Sequence, residues 1–201
     1  MSDNYRIICT AKEIVNPKDT VDKVLKWMQS EKIIEIEKSD CVLSSKKLGY
    51  KPSDNHLDAV MYDENITRLI TCGVEVQTER EVFNAMAFTP FITLTCPDCG
   101  KNRFEGITEP DFYGENLTRE QIDSYQSVFK LFDNWSNKED ATLTCPFCKE
   151  ERDIGEYTIG GGLSLSNCGL TFWNWPEFKP EFIDKLKKLI GKDIKVIVGH
   201  F

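Results

Sequence analysis

The sequence predicts a fold of the α+β (or α/β) class, in which a mixed body carries an inserted, cysteine-rich β subdomain. A helical pattern followed by a strand pattern occurs at both ends of the chain. Two Cys-x-x-Cys pairs, each preceded by a β-rich stretch, mark the inserted part. With 201 residues, 40% of them hydrophobic and 29% charged, the chain has the size and composition of a folded globular protein.

The N-terminal part, residues 1–90, has the pattern of an α/β region. Residues 5–10 alternate as a strand does, and Asp19 or Thr20 can cap a following helix. Residues 33–37 predict a second strand, and residues 66–78 contain two short β-like runs that Gly73 interrupts. The apolar stripe of the predicted helix consists of Val21, Val24, Leu25 and Met28.

The C-terminal part, residues 156–201, has the pattern β-helix-β. A β-rich approach over residues 157–175 contains three consecutive glycines, which favour a turn or a bulge. Pro180 is placed to open a helix, Gly191 to end it, and residues 194–198 predict a terminal strand. Because both ends share this order of elements, we expect the two terminal regions to pack together in one sheet.

The strongest chemical signal comes from the cysteines Cys96, Cys99, Cys145 and Cys148. Two residues between the cysteines of each pair let both sulfurs approach one metal ion from a tight turn. Four thiolates form a closed tetrahedral set for one structural zinc ion, with no position left for a substrate. A thioredoxin-like redox pair is the alternative, but it needs one such pair opening a helix, whereas this chain has two after β-rich stretches. Gly100 suits the left-handed exit of the first turn, and Lys149 stands in its place in the second.

The two cysteine pairs are 45 residues apart, which is far more than a compact zinc ribbon requires. Thr118 and Gln121 form a capping-box pattern, and apolar residues recur at helical spacing up to Asp133. We therefore predict a zinc-ribbon-like insertion over residues 91–155 that contains an extra helix near residues 118–133.

The remaining candidates for chemistry are isolated residues. Cys9, Cys41, Cys72 and Cys168 lack metal-binding spacing and are expected to be small buried hydrophobes. His56 lies in a run rich in turn residues, which predicts a solvated loop. The chain has no phosphate-binding loop motif and no Gly-x-Ser-x-Gly element. An enzyme with an unrecognised cysteine or carboxylate site in the α/β body stays open as an alternative.

The aromatic run at residues 172–175 is a candidate interaction surface. Alternation along a strand would place Trp173 and Trp175 on the same face, and tryptophan is favoured at binding hot spots. Packing of both indoles in the core is the favoured interpretation, because a small core needs large aromatic side chains.

The charge of the chain favours a basic partner. The formal net charge is -8 and the pI is about 4.9, which makes a general nucleic-acid binder unlikely. Residues 91–150 alone carry eleven acidic against six basic side chains. We expect a non-enzymatic, cytoplasmic protein-interaction module without a membrane segment, in one version an immunity or antitoxin-like inhibitor of a basic protein. A nucleic-acid-binding zinc ribbon is a further alternative, and the oligomeric state is left open.

Several landmarks follow one another along the chain: a helix ending near Trp27, residues 40–43 and 49–52, the two cysteine pairs, residues 172–175, and the final helix and strand. Their order resembles that of a family of uncharacterised bacterial proteins with a split four-cysteine zinc ribbon. This resemblance covers most of the chain and implies no particular activity. The four paired cysteines are also similar to those of zinc ribbons in general, which implies a metal-stabilised module over residues 91–150.

Overall fold

The computed structural model describes residues 3–43, 47–62, 66–84, 91–113 and 116–200. Both helices and strands are present in the described part, which confirms the mixed α+β class. The helices are α1 (Pro17–Ser30), α2 (Glu109–Tyr113), α3 (Arg119–Ser136) and α4 (Pro180–Ile190). The strands are β1 (Asn4–Thr10), β2 (Ile34–Ser39), β3 (Gly49–Pro52), β4 (Gly73–Gln77), β5 (Glu81–Asn84), β6 (Ile92–Thr95), β7 (Thr142–Thr144), β8 (Glu151–Asp153), β9 (Thr158–Gly161), β10 (Leu163–Ser166), β11 (Gly169–Trp173) and β12 (Ile194–His200).

The largest sheet has six antiparallel strands in the order β12-β1-β11-β4-β3-β2. The first and last strands of the chain, β1 and β12, pair along their whole length from Asn4 opposite His200 to Thr10 opposite Ile194. The two terminal regions therefore share one sheet, as the repeated order of elements predicts. The antiparallel pairing corresponds to α+β and not to the α/β variant, in which strands run parallel.

Helices α1 and α4 cover one face of this sheet. Pro17, at the start of α1, fixes a helical φ, so the helix begins before the predicted caps at Asp19 and Thr20. Gly191 ends α4 with a left-handed φ of 67°, as its position in the sequence predicts. The largest apolar cluster lies between these helices and the sheet and includes Val24, Met28, Val74, Phe172 and Leu186.

A second apolar cluster holds the central part of the chain together. It lies among α3, the paired strands β6 and β9, and the hairpin strands β7 and β8, with Val128, Phe132 and Trp135 contributed by α3. The predicted capping box is present, because Thr118 Oγ1 accepts from the N–H of Gln121, whose side chain accepts from the N–H of Thr118. The helix continues three residues beyond the predicted end at Asp133, so it also buries Trp135.

Strand β10, paired with β5, connects the central cluster to the six-stranded sheet. Its leucines, Leu163 and Leu165, belong to the central cluster, while its serines alternate to the other side. Ser164 Oγ donates to the carbonyl of Thr10 at 3.2 Å, and Ser166 Oγ lies 2.5 Å from Thr10 Oγ1. Strand β10 therefore contacts both parts of the fold: its leucines pack in the central cluster, and its serines form hydrogen bonds with the six-stranded sheet.

None of the helices in the described ranges is both long enough and apolar enough to cross a membrane.

Candidate metal centre

The two Cys-x-x-Cys pairs form turns with the same backbone hydrogen bonds. In the first turn, Cys96 N–H donates to Lys101 O and Gly100 N–H donates to Cys96 O, both at 3.0 Å. In the second turn, Cys145 N–H donates to Glu150 O at 2.9 Å and Lys149 N–H donates to Cys145 O at 3.1 Å. The shared sequence pattern therefore folds into two copies of one local structure.

Each turn ends at a residue whose backbone φ angle lies in the left-handed region. Gly100 and Lys149 each have a φ of 69°, the conformation that the sequence predicts for Gly100. A side chain in this region costs backbone energy, because its Cβ approaches the following carbonyl. Lys149 adopts it nevertheless and donates from Nζ to Pro146 O at 2.8 Å.

The two turns, which follow β6 and β7, bring their cysteines together, so that all four sulfur atoms lie within 4.8 Å of one another. Cys96 Sγ is 3.8 Å from Cys148 Sγ, and Cys99 Sγ is 3.7 Å from Cys145 Sγ. The first cysteine of each pair is buried, and the second is partly exposed. The cysteines that the spacing selects are thus brought together, and they could hold a metal ion.

The donor set fits zinc. Tetrahedral coordination at a Zn–S distance of about 2.3 Å requires sulfur atoms about 3.8 Å apart. The two sulfur-sulfur distances across the cluster agree with this value. Burial raises the pKa of Cys145, but hydrogen bonds from the backbone N–H groups of Cys148 and Phe147 and from the neighbouring thiols lower it to about 6. The backbone N–H of Glu150 lowers the pKa of Cys148, but burial and the three neighbouring thiols raise it to about 12. The four thiols therefore do not ionise independently, and a divalent cation bound among them would favour the thiolates.

Basic side chains lie in and beside the two turns, and the cysteine spacing alone does not predict them. Arg152 forms a two-point ion pair with Asp98, which lies between the cysteines of the first turn, at 2.8 and 3.0 Å. This pairing lowers the pKa of Asp98. Arg103 donates to Thr144 O, and Lys101 lies 5.0 Å from the Phe147 ring centre. Asp98 balances the charge of Arg152, which leaves Lys101 and Arg103 to offset the excess negative charge of four thiolates around a divalent ion. The position of Asp98 inside the turn is the signal that could have directed attention to a basic partner.

The structure places Trp173 and Trp175 apart, so the prediction of a shared strand face is wrong. Asn174 has a left-handed φ of 58°, which ends the alternation of β11. Its side chain accepts from Asn4 N–H at 2.8 Å and donates to Thr71 O at 2.7 Å, which holds this bend in place.

Both indoles are buried, with 9% of Trp173 and 2% of Trp175 exposed. Trp175 packs among the residues under the helices, with its ring centre 5.3 Å from that of Phe172. Trp173 packs with Tyr5 on the other side of the sheet and donates from Nε1 to Glu75 at 3.1 Å. The two side chains therefore do not form a joint surface. Both pack in the core, which is the interpretation that the sequence favours.

Cys72 and Cys168 are buried in the cluster between the helices and the sheet, and Cys9 and Cys41 in a third apolar cluster that includes Trp173, as their lack of spacing predicts. Burial raises the pKa of Cys9 and Cys72 to about 12 and that of Cys168 to about 11, so these thiols are poor nucleophiles near neutral pH. His56 is also buried, with its ring edge-on to Trp175, which corrects the expectation of a solvated loop. His56 Nδ1 lies 2.8 Å from Ser53 O, so the ring is part of the local packing.

Comparison of the chain with models of protein families, with curated proteins and with solved structures gave no match.

Proposed function

We propose that residues 91–155 form a split zinc ribbon in which Cys96, Cys99, Cys145 and Cys148 hold one structural zinc ion. The observation that supports this proposal is the closeness of four sulfur atoms from two turns of identical structure. Zinc bound by four thiolates supplies no chemistry beyond cross-linking, because it has no open coordination position. Its role here is to join the hairpin of β7 and β8 to the strand β6 across the inserted helix.

We further propose that this module presents an acidic surface to a basic protein and has no catalytic role. Beside the cysteines, Lys101, Arg103 and Lys149 are accompanied by Asp98 and Glu150, whereas the rest of residues 91–150 carries nine acidic against three basic side chains. Glu120 and Asp123 lie one turn apart at the start of α3, and both are exposed. Neighbouring exposed carboxylates attract a basic surface over about one Debye length, which is 8–10 Å near physiological salt.

A specific form of this function is inhibition of a basic enzyme, as an immunity or antitoxin-like protein achieves it. An acidic chain with a net charge of -8 complements the positive cleft of an enzyme that binds nucleic acid. Charge complementarity of this kind mainly accelerates association, so its contribution is visible in the dependence of the association rate on salt.

Charge reversal on α3 tests this proposal. The double variant E120K/D123K should slow association with a basic protein that co-purifies from the native host by about tenfold at low salt. The matched control E35K/E37K makes the same change of charge on the exposed part of β2 and should have a much smaller effect. The measurement is the association rate at several salt concentrations, with the melting temperature as a check on folding.

Two results would overturn the acidic-surface proposal. The first is an association rate that depends neither on salt nor on the charges of α3. The second is a chain that co-purifies with no basic protein and instead retains duplex DNA or RNA near physiological salt. The second result would favour the nucleic-acid-binding alternative.

A further inference from the structure

The strand β12 is an edge of the six-stranded sheet. Among the described residues, no backbone hydrogen bond is made to the outer side of this strand. Ala11 N–H donates to Asp193 O, and Thr10 N–H donates to Cys168 O on the other side of β1. Along a strand, the N–H and C=O groups of successive residues point alternately to the two neighbouring strands. These two bonds therefore show which residues of β1 and β12 bond to each other. The odd-numbered residues of β12 bond to β1, and the even-numbered residues direct their N–H and C=O groups outward. The outward set is Ile194, Val196, Val198 and His200.

The outer part of β12 is also apolar. Val196 and Val198 are 44% and 52% exposed, and they lie side by side on the helix-covered face of the sheet, beyond the reach of the helices. Their cross-strand neighbours on β1 are Ile8 and Arg6. A long regular edge strand with exposed valines is a template for pairing with another strand.

The opposite edge of the same sheet is protected in two ways. Strand β2 has a register irregularity between Ile34 and Lys38. Glu35 and Glu37 flank the exposed Ile36, so an antiparallel copy of this strand would place carboxylates opposite each other. Bulges and edge charges are the common means by which proteins prevent edge pairing. Strand β12 has neither a register shift nor a pair of like charges.

We propose that β12 pairs antiparallel with β12 of a second copy, which joins the two six-stranded sheets into one. A two-fold axis at Ile197 places Val196 opposite Val198 of the second copy and Ile194 opposite His200. All four outward residues then form hydrogen-bonded pairs, because each pair joins two even-numbered positions. The same register sets Lys195 opposite Gly199, so no like charges meet.

The occupant is a second copy because the strand is self-complementary in this register. The single charged side chain between Ile194 and Val198 is Lys195, and its Nζ is tied back to the carbonyls of Ile159 and Leu163. That charge therefore does not obstruct the edge, although an inward lysine is a common device against pairing. The valine pairs would bury apolar surface on both copies in addition to forming the backbone bonds.

Sedimentation over a range of concentrations tests the proposed dimer. The wild-type chain should form dimers, and V198P should raise the dimer dissociation constant at least about tenfold, which is about 1.4 kcal/mol. Proline at this position removes an outward N–H and leaves the bonds to β1 in place. The double variant V196K/V198K is a second test of the same contact. It leaves all backbone N–H groups in place, but it sets lysines of the two copies opposite each other, so it should also weaken the dimer. I36K on β2 is the control and should dimerise as the wild-type chain does.

Two further readouts separate this dimer from the binding of a basic partner. Added salt should strengthen the dimer, because each copy carries a net charge of -8. In hydrogen exchange, the amides of Val196 and Val198 should gain protection as the protein concentration rises. A wild-type chain that sediments as a monomer at all concentrations would overturn the proposal, and so would a dimer that V198P and V196K/V198K leave intact.

Discussion

At the scale of single residues, the two Cys-Pro-x-Cys turns share their backbone hydrogen bonds but differ in sequence, among other places where Gly100 corresponds to Lys149. The backbone conformation of Gly100 and Lys149 is the same, so the local fold demands a left-handed residue whether or not the sequence supplies glycine. An added Cβ at Gly100 would meet no heavy atom within 4 Å. Any effect of a side chain there is therefore an effect of the backbone conformation and not of crowding.

Adding a Cβ at position 100 and removing the side chain at position 149 should change the free energy of unfolding in opposite directions. We expect Gly100→Ala to lower the free energy of unfolding by about 1 kcal/mol, because alanine is strained at positive φ. Lys149→Gly should raise it by about 0.5 kcal/mol, because the strain is relieved while an exposed hydrogen bond is lost. Urea unfolding of the metal-loaded protein measures both. A decrease of equal size in both variants would contradict the strain argument.

The residue scale also shows where sequence reasoning fails. The spacing of the cysteines predicts which sulfur atoms meet, because a short turn fixes their separation. The alternation that predicts a shared face for Trp173 and Trp175 is interrupted by Asn174, whose conformation depends on partners far away in the sequence, among them Asn4 and Thr71. Contacts of that range leave no periodic signal.

At the scale of secondary-structure elements, periodicity predicts the long elements and misses the short ones. The amphipathic pattern and capping box of α3 are visible in the sequence, as are Pro180 and Gly191 at the ends of α4. Strands β7 and β8 have three residues each, and α2 has five, which is too short for a periodic pattern. The order of strands in the sheet depends on long-range pairing and was expected only for the terminal strands.

Removing the metal should affect the elements of the central module selectively. A chelator should abolish most of the hydrogen-exchange protection of α3 and of the β6–β9 pair, because metal binding and folding of such a module are linked. The pairs that β1 forms with β11 and β12 should keep their protection, since they belong to separate apolar clusters.

Amide exchange followed by mass spectrometry resolves these segments. Readdition of zinc should restore protection in the central module alone. Equal loss of protection in the central module and in the six-stranded sheet would contradict this prediction, and so would unchanged protection of α3 after the chelator is added.

At the scale of the whole molecule, the described part of the chain combines three apolar clusters with an uneven distribution of charge. The body is formed by both ends of the chain, and the central residues fold around their own cluster, with β10 contacting both. The acidic surplus of residues 91–150 thus belongs to the central part of the molecule, where Arg152 and Asp98 form an ion pair beside the cysteines. This arrangement is consistent with a metal-stabilised module that is carried by a separate scaffold.

The metal content of the purified, tag-free chain tests the central proposal most directly. We predict one zinc ion per chain by elemental analysis and four sulfur neighbours at about 2.3 Å by X-ray absorption. Cys96→Ser and Cys145→Ser should each lose zinc and lower the melting temperature, whereas Cys72→Ala, which removes a buried thiol from the body, should retain the ion. A wild-type chain without bound metal, or full zinc content and unchanged melting in both serine variants, would contradict the account.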